Sequence, residues 1–284
     1  MAINLVRHSV CAIVLFFSLA SVAKTSPAEC RHQLTEKYRH SWQSLRQHYQ
    51  YVDADFENWN SEVAPRFLNP QSQKVYYVLH GFMGTPAEMM IYEKQALAEN
   101  AAILNDIIPG FGASARIANH FDSADWIATT TRHLTWLQNC YAEIHLVGFS
   151  TGALLLHLAS SLEPKNIHSL KLISPYYKPA ITQLEFLAKN LDFITLNPQV
   201  ETIYRYTGFP DLKVMTVKPQ WYLQEIPVAT ASRIAQLGDL VYDKLKDRAP
   251  SKIPTKVFYS ESDRTASYEV GIKLLEKTQS QLEL

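Results

Sequence analysis

Apolar and polar positions follow two different periods along this chain. "KVYYVLHGF" is an unbroken apolar and β-branched run that stops at a glycine, as a buried strand does on entering a tight turn. The next stretch, "TPAEMMIYEKQALAEN", changes to helical spacing, with Thr85 placed as an N-cap, Pro86 in the first turn and Glu88 completing a capping box. "AAILNDIIPGFG" is a second apolar run, broken by Pro-Gly. "DSADWIATTTRHLTWLQNCY" puts Trp126, Thr130, His133, Leu134 and Leu137 near one helical face. "EIHLVGFS" reads as a strand with the helix "TGALLLHLASSLE" directly behind it. "HSLKLISPYY" and "TKVFYSESD" read as later strands. Strands that alternate with helices predict an α/β fold on a mostly parallel sheet with helices on both faces.

Two stretches break the alternation. Residues 24–72 are polar and aromatic, with helical character around "LTEKYRHSWQSLRQHYQ", and read as a leader packed on the main domain, residues 73–284. The span from Lys178 to Pro254 is rich in proline and aromatics and has helix-like pieces, "ITQLEFLAKNLDFI" and "ATASRIAQLGDLVYDKLKD". A structureless loop of that length does not suit a compact domain, so residues 178–254 are expected to form a helical cap over the sheet edge where active sites form.

The first 23 residues carry Arg7 and His8, then an apolar run from Val10 to Ala20, then Ser21-Val22-Ala23. This is the pattern of a secretory signal peptide, and the run is short for a bilayer span. The expectation is an exported protein, periplasmic or secreted, with no stable membrane span after cleavage. Export changes how cysteine is read. Cys11 lies in the signal segment, and Cys30 and Cys140 either pair or remain two free buried thiols. Lys+Arg and Asp+Glu are 27 each, so nothing draws the chain electrostatically to nucleic acid. No Cys/His cluster has metal-ligand spacing, and neither a metal nor a cofactor is expected.

Chemistry enters at "LVGFSTG". A strand that ends at Gly148, a helix that begins after Ser150, and small residues at Gly148 and Gly152 describe a nucleophile elbow, with Ser150 Oγ exposed at the positive end of a helix. A serine that attacks acyl carbon needs a base and donors for the developing oxyanion. The Thr151 N–H is one donor. The other belongs to the turn after the earlier strand, "LHGFMGTPAEM", where His80-Gly81 shapes the turn and Phe82 supplies the N–H, with Met83 as the alternative. Asp263, at the end of "KVFYSESD", falls on the same sheet edge as Ser150, and Glu261 is a weaker substitute.

"YYVLHGFMGTPAEM", "IIPGFGAS", "ADWIATTTRHLTWL", "HLVGFSTGALLLHLA", "KLISPYY" and "VFYSESDRTASYEVGIKLLEK" resemble, in order, segments of α/β-hydrolase fold serine hydrolases. The likeness is to bacterial carboxylesterases and monoacylglycerol lipase or lysophospholipase relatives, and runs from about residue 74 to the C-terminus. It implies Ser150 as nucleophile, Phe82 and Thr151 as oxyanion donors, and Asp263 as the carboxylate that orients the base. The implied activity is hydrolysis of a small acyl ester or lipid through an acyl-enzyme, without cofactor.

The chain departs from that pattern in two places. Relatives have Gly-His-Gly where this chain has Gly110-Phe111-Gly112, so Phe111 takes no catalytic role. The base should follow Asp263, yet the last histidine is His168, and the final strand and histidine loop are expected to be missing. Three explanations stand open: a shortened chain, a catalytically inactive scaffold that binds acyl or lipid ligands, or a base from elsewhere, for which His120 is the candidate.

Overall fold

The computed structural model describes residues 26–162, 165–180, 202–204, 219–223, 225–261, 263 and 265–284. Seven strands form the main sheet: β1 (Arg66–Leu68), β2 (Lys74–Leu79), β3 (Ala102–Asp106), β4 (Glu143–Phe149), β5 (Ile167–Ile173), β8 (Thr255–Phe258) and β9 (Leu282–Glu283). Their order across the sheet is β1-β3-β2-β4-β5-β8-β9. Only β1 runs antiparallel, against β3, and the other neighbours are parallel. A separate two-stranded antiparallel sheet pairs β6 (Thr202–Tyr204) with β7 (Glu225–Pro227).

The apolar runs form central strands because both of their faces are covered. Every residue of β3 is buried, and so are all but the first of β2. After the one-turn α3 (Ala115–Ala118), one face carries α4 (Ser123–Cys140), α5 (Thr151–Leu162), α6 (Val228–Leu245) and α7 (Tyr268–Thr278), with side chains in the larger core cluster. On the other, α2 (Met90–Ala98) packs against Tyr76, Val78, Ile103 and Val147. The five residues that helical spacing assigned to one face of α4 are the five buried there. Among the described residues no helix is long and apolar enough to cross a membrane.

The leader is mostly one long helix, α1 (Pro27–Val52), started by the Ser26 side chain, which accepts the Glu29 N–H. Leu34, Tyr38 and Tyr49 turn inward at helical spacing. Tyr38 donates to Asp106 Oδ1, Tyr49 Oη accepts the Gly110 N–H at 2.6 Å, and a Cys30–Cys140 disulfide ties α1 to the end of α4. Asp106 also takes the Ile107 N–H at 2.9 Å and pairs with His133 Nδ1 at 2.7 Å. Burial pushes this carboxyl up, but His133 and its hydrogen bonds hold it below the ordinary range. β1, inside the stretch read as leader, is in fact an edge strand of the main sheet. Three residues of an antiparallel edge carry too short a pattern to stand out in sequence.

Three further expectations change. Thr85 makes no capping bond: a 3₁₀ turn, Pro86–Met89, precedes α2, and the Thr85 hydroxyl donates to Trp221 O instead. The second helical piece of residues 178–254 becomes α6, which packs on α5 rather than over the sheet edge, since Ile234, Leu237 and Val241 join the main core. The first piece, 181–194, lies outside the described residues. Past α7 the chain does form a strand, the two residues of β9, which pair Leu282 with Thr255 and Glu283 with Lys256.

Candidate active site

β4 ends at Phe149 and α5 begins at Thr151, so Ser150 alone makes the turn between them. Its φ is +49°, the left-handed region that costs a non-glycine residue about 1–2 kcal/mol and persists only where the surroundings fix it. They do so here: the Ser150 N–H donates to Ile173 O on β5 at 2.8 Å, and Ser150 O accepts the Leu154 N–H at 3.1 Å. The flanking glycines are a matter of space. A Cβ on Gly148 would lie 2.4 Å from Ala153 Cα, and one on Gly152 would lie 2.4 Å from His80 O. Strand and helix can fold back this sharply only with no side chain at either position.

The same close approach joins the elbow to the turn after β2. A Cβ on Gly81 would come 2.8 Å from Phe149 Cδ1 and 3.3 Å from Ser150 Cβ. His80, Gly81, Gly148, Ser150 and Gly152 are therefore one contiguous assembly, although 71 positions separate its ends. Among the described residues the N–H groups of Phe82, Met83 and Thr151 have no acceptor, and Thr151 sits in the first turn of α5, where the helix itself offers none. The left-handed φ of +58° at Met83 bends the turn back, and Met83 O accepts the Leu223 N–H at 2.8 Å.

His80 is wholly buried and shapes this turn. Its Nε2 accepts the Ile108 N–H at 3.0 Å, which leaves Nδ1 to carry the proton and donate to Gly81 O at 2.8 Å. Burial brings its pKa down to about 4, and burial also brings that of His157 down to about 3. Both imidazoles are neutral in the fold and regain an ordinary value near 6.5 on unfolding. The unfolded chain thus binds more protons below pH 6.5, and stability falls as pH drops from there toward the folded values. Each imidazole is expected to cost about 2 kcal/mol on going from pH 7.5 to pH 5. Urea midpoints at the two pH values measure this, and His157→Asn should remove about half of the loss. Midpoints that do not move would rule out buried neutral imidazoles.

Asp263 stands in the loop after β8, two strands across the same sheet edge from Ser150, or roughly 10 Å between strand axes. Its Oδ1 accepts the N–H groups of Thr265 at 2.8 Å and Ala266 at 3.0 Å, and among the described residues Oδ2 has no partner. Ser267, not Asp263, caps α7. Glu261 is exposed on the same loop.

Among the described residues no histidine nitrogen lies within hydrogen-bond distance of Ser150 Oγ. His120 is exposed, and its ring contact is with His48 of α1, 6.4 Å between centroids. His133 is held by Asp106, His145 by Glu143 and Ser169, and His157 by Tyr177 and Gln279. Phe111 is fully buried, edge-on to both His80 and Phe82 at 6.0 Å, so it backs the turn after β2 by packing. Among the described residues no group of three or more His, Cys, Asp or Glu gathers as a metal would need. A groove of about 1030 Å³ between α4 and α6 holds neither Ser150 nor Asp263.

Three participants have no recognisable signal in the sequence. Glu88 folds back so that Oε2 accepts the Gly81 N–H at 2.8 Å, a bond that its capping-box spacing does not suggest. Trp221 and Leu223 reach the turn from the far side of a long insertion, and the Trp221 indole N–H donates to Glu62 at 3.0 Å. Contacts at such separations leave no periodic pattern.

No protein-family model and no curated protein matches the chain. Solved structures do. One, described with the metagenome-derived lipolytic enzymes LipS and LipT, has a TM-score of 0.63 at 16% identity and covers 80% of this chain and 88% of its own. A monoglyceride lipase from Saccharomyces cerevisiae, in complex with a substrate analogue, gives 0.57 at 15% identity, covering 80% and 83%. The monoacylglycerol lipase of Paleococcus ferrophilus gives 0.53 at 13%, covering 73% and 81%. The fold of this chain is the α/β-hydrolase fold.

Proposed function

We propose that this protein is a serine hydrolase that cleaves a carboxylic ester, a lipid or other acyl ester, through an acyl-enzyme on Ser150. One observation carries the proposal. Ser150 is locked at a φ of +49° against a turn whose Phe82 N–H, like that of Thr151, has no acceptor among the described residues. Ser150 Oγ attacks the acyl carbonyl, the C=O electrons move onto oxygen, and the Phe82 and Thr151 N–H groups receive the oxyanion. The Ser150 proton passes through water to the departing alkoxide, so collapse breaks the C–O bond, releases the alcohol and leaves the acyl group on Oγ; a second water then adds its O–H across the acyl ester, releasing the acid and restoring the Ser150 hydroxyl. Asp263, whose Oδ2 has no partner among the described residues, is the carboxylate that would orient the base. Without a base, such a site retains only the part of its rate that comes from binding and the oxyanion donors. The similarity to lipolytic structures supports the ester class, and the disulfide supports export to an oxidising compartment.

The absence of any described histidine at Ser150 favours a second reading, a non-hydrolytic protein that binds acyl or lipid ligands on the same scaffold. A fluorophosphonate probe separates the two. The first reading expects a covalent adduct on the peptide containing Ser150, slow hydrolysis of a p-nitrophenyl ester, and loss of both in Ser150→Ala. A folded protein that binds a fatty acyl ligand equally before and after Ser150→Ala, and never forms the adduct, would establish the second.

A further inference from the structure

We infer that Glu88 is a positioning residue for the oxyanion turn, an inference that rests on the ester-hydrolase reading. Gly81 has no side chain because Phe149 and Ser150 leave no room for one, and a glycine backbone is correspondingly free to rotate. That freedom is a hazard at this point. The Gly81 carbonyl and the Phe82 N–H belong to one planar trans peptide and point in opposite directions. A flip of this peptide would turn the N–H away from Ser150 and present a carbonyl oxygen to the developing negative charge.

Two bonds to its oxygen hold this peptide itself, and Glu88 holds the peptide before it, so that no compensating rotation about Gly81 is free to carry the flip. Its carbonyl accepts the His80 Nδ1–H at 2.8 Å and the Gly84 N–H at 3.1 Å. Its own N–H is held by Glu88 Oε2 at 2.8 Å. The carboxylate lies within the turn, in space that a side chain at residue 84 would fill, since a Cβ on Gly84 would sit 2.6 Å from Oε2. Glu88 is itself fixed by the Pro86–Met89 turn, where its N–H donates to Thr85 O at 3.0 Å. Glu88 therefore decides which N–H groups stay open. It occupies that of Gly81, while those of Phe82 and Met83 have no acceptor among the described residues. The function needs an acceptor oxygen at this position, not a negative charge.

The test is the saturation kinetics of fluorophosphonate labelling of Ser150 in the full chain, for wild type, Glu88→Ala and Glu88→Gln. Glu88→Met, of similar length but without an acceptor, serves if the alanine variant does not fold. Loss of the acceptor is expected to slow the covalent step roughly tenfold or more while half-saturation stays put, because the probe still binds but its phosphonyl oxygen is poorly received. Glu88→Gln, which keeps an acceptor oxygen, is expected to stay within about twofold of wild type. Equal covalent rates in wild type and a folded Glu88→Ala or Glu88→Met protein would overturn the inference. So would a glutamine variant as slow as the alanine one. Wild type that does not label at Ser150 at all removes the ester-hydrolase reading first, and this inference with it.

Discussion

Gly152→Ala is expected to destabilise the fold by about 3 kcal/mol or more and to bring Ser150 labelling down to background. The new Cβ would fall 2.4 Å from His80 O and 2.5 Å from Leu79 O. Both are backbone atoms. The carbonyl of Leu79 ends a strand held by partners on both sides, so neither it nor the start of α5 can yield without breaking a ladder. Relief has to come from moving α5 away from β2, which carries Ser150 off the oxyanion turn. Stability and reactivity should therefore fall together, and urea unfolding with probe labelling of the same sample reads both. A variant as stable as wild type, or one that loses stability but labels at full rate, would show that helix and turn are less tightly joined than these distances require.

Removal of the Cys30–Cys140 bond is expected to cost about 4 kcal/mol, because it frees a loop spanning 110 residues in the unfolded chain. Its Cα atoms are 5.4 Å apart, an ordinary separation for a disulfide. The loop runs from α1 to α4, hence through the turn after β2 and the Asp106 cluster. The native contacts of α1, Tyr38 on Asp106 and Tyr49 on Gly110, remain when the bond is gone. The loss should thus appear mainly in global unfolding, with early hydrogen exchange at the N-terminal turns of α1. The comparison is between wild type and a Cys30→Ser, Cys140→Ser double variant under oxidising conditions. A shift below about 1 kcal/mol would mean that the unfolded chain keeps α1 close to α4 without help.

The sequence legibly contained the central strands, because a strand buried on both faces must be apolar throughout. It also contained the inward face of α4 and the elbow, because a one-residue strand-to-helix turn at Ser150 demands small residues two positions away on each side. β1 and β9 escaped it, since two or three residues on a sheet edge carry no pattern of their own. α6 was legible as a helix but not as a flanking one. Its amphipathic stripe states that a face is buried, and not what it is buried against.

At the site the division is sharper. Residue type and local spacing alone determined that Ser150 follows a buried strand, that Gly148 and Gly152 must stay small, and that His80-Gly81 closes a turn. Only the tertiary structure decided that Gly81 packs against Ser150, that His80 carries its proton on Nδ1, and that Glu88 accepts the Gly81 N–H rather than capping a helix. It also decided that His120 faces His48 instead of the serine, and that Cys30 and Cys140 form a bond. Local rules act over a few residues, through dihedral angles and hydrogen bonds within a turn. Bonds between positions such as Ile108 and His80, or Cys30 and Cys140, depend on how the sheet orders its strands, and no short stretch of sequence specifies that order.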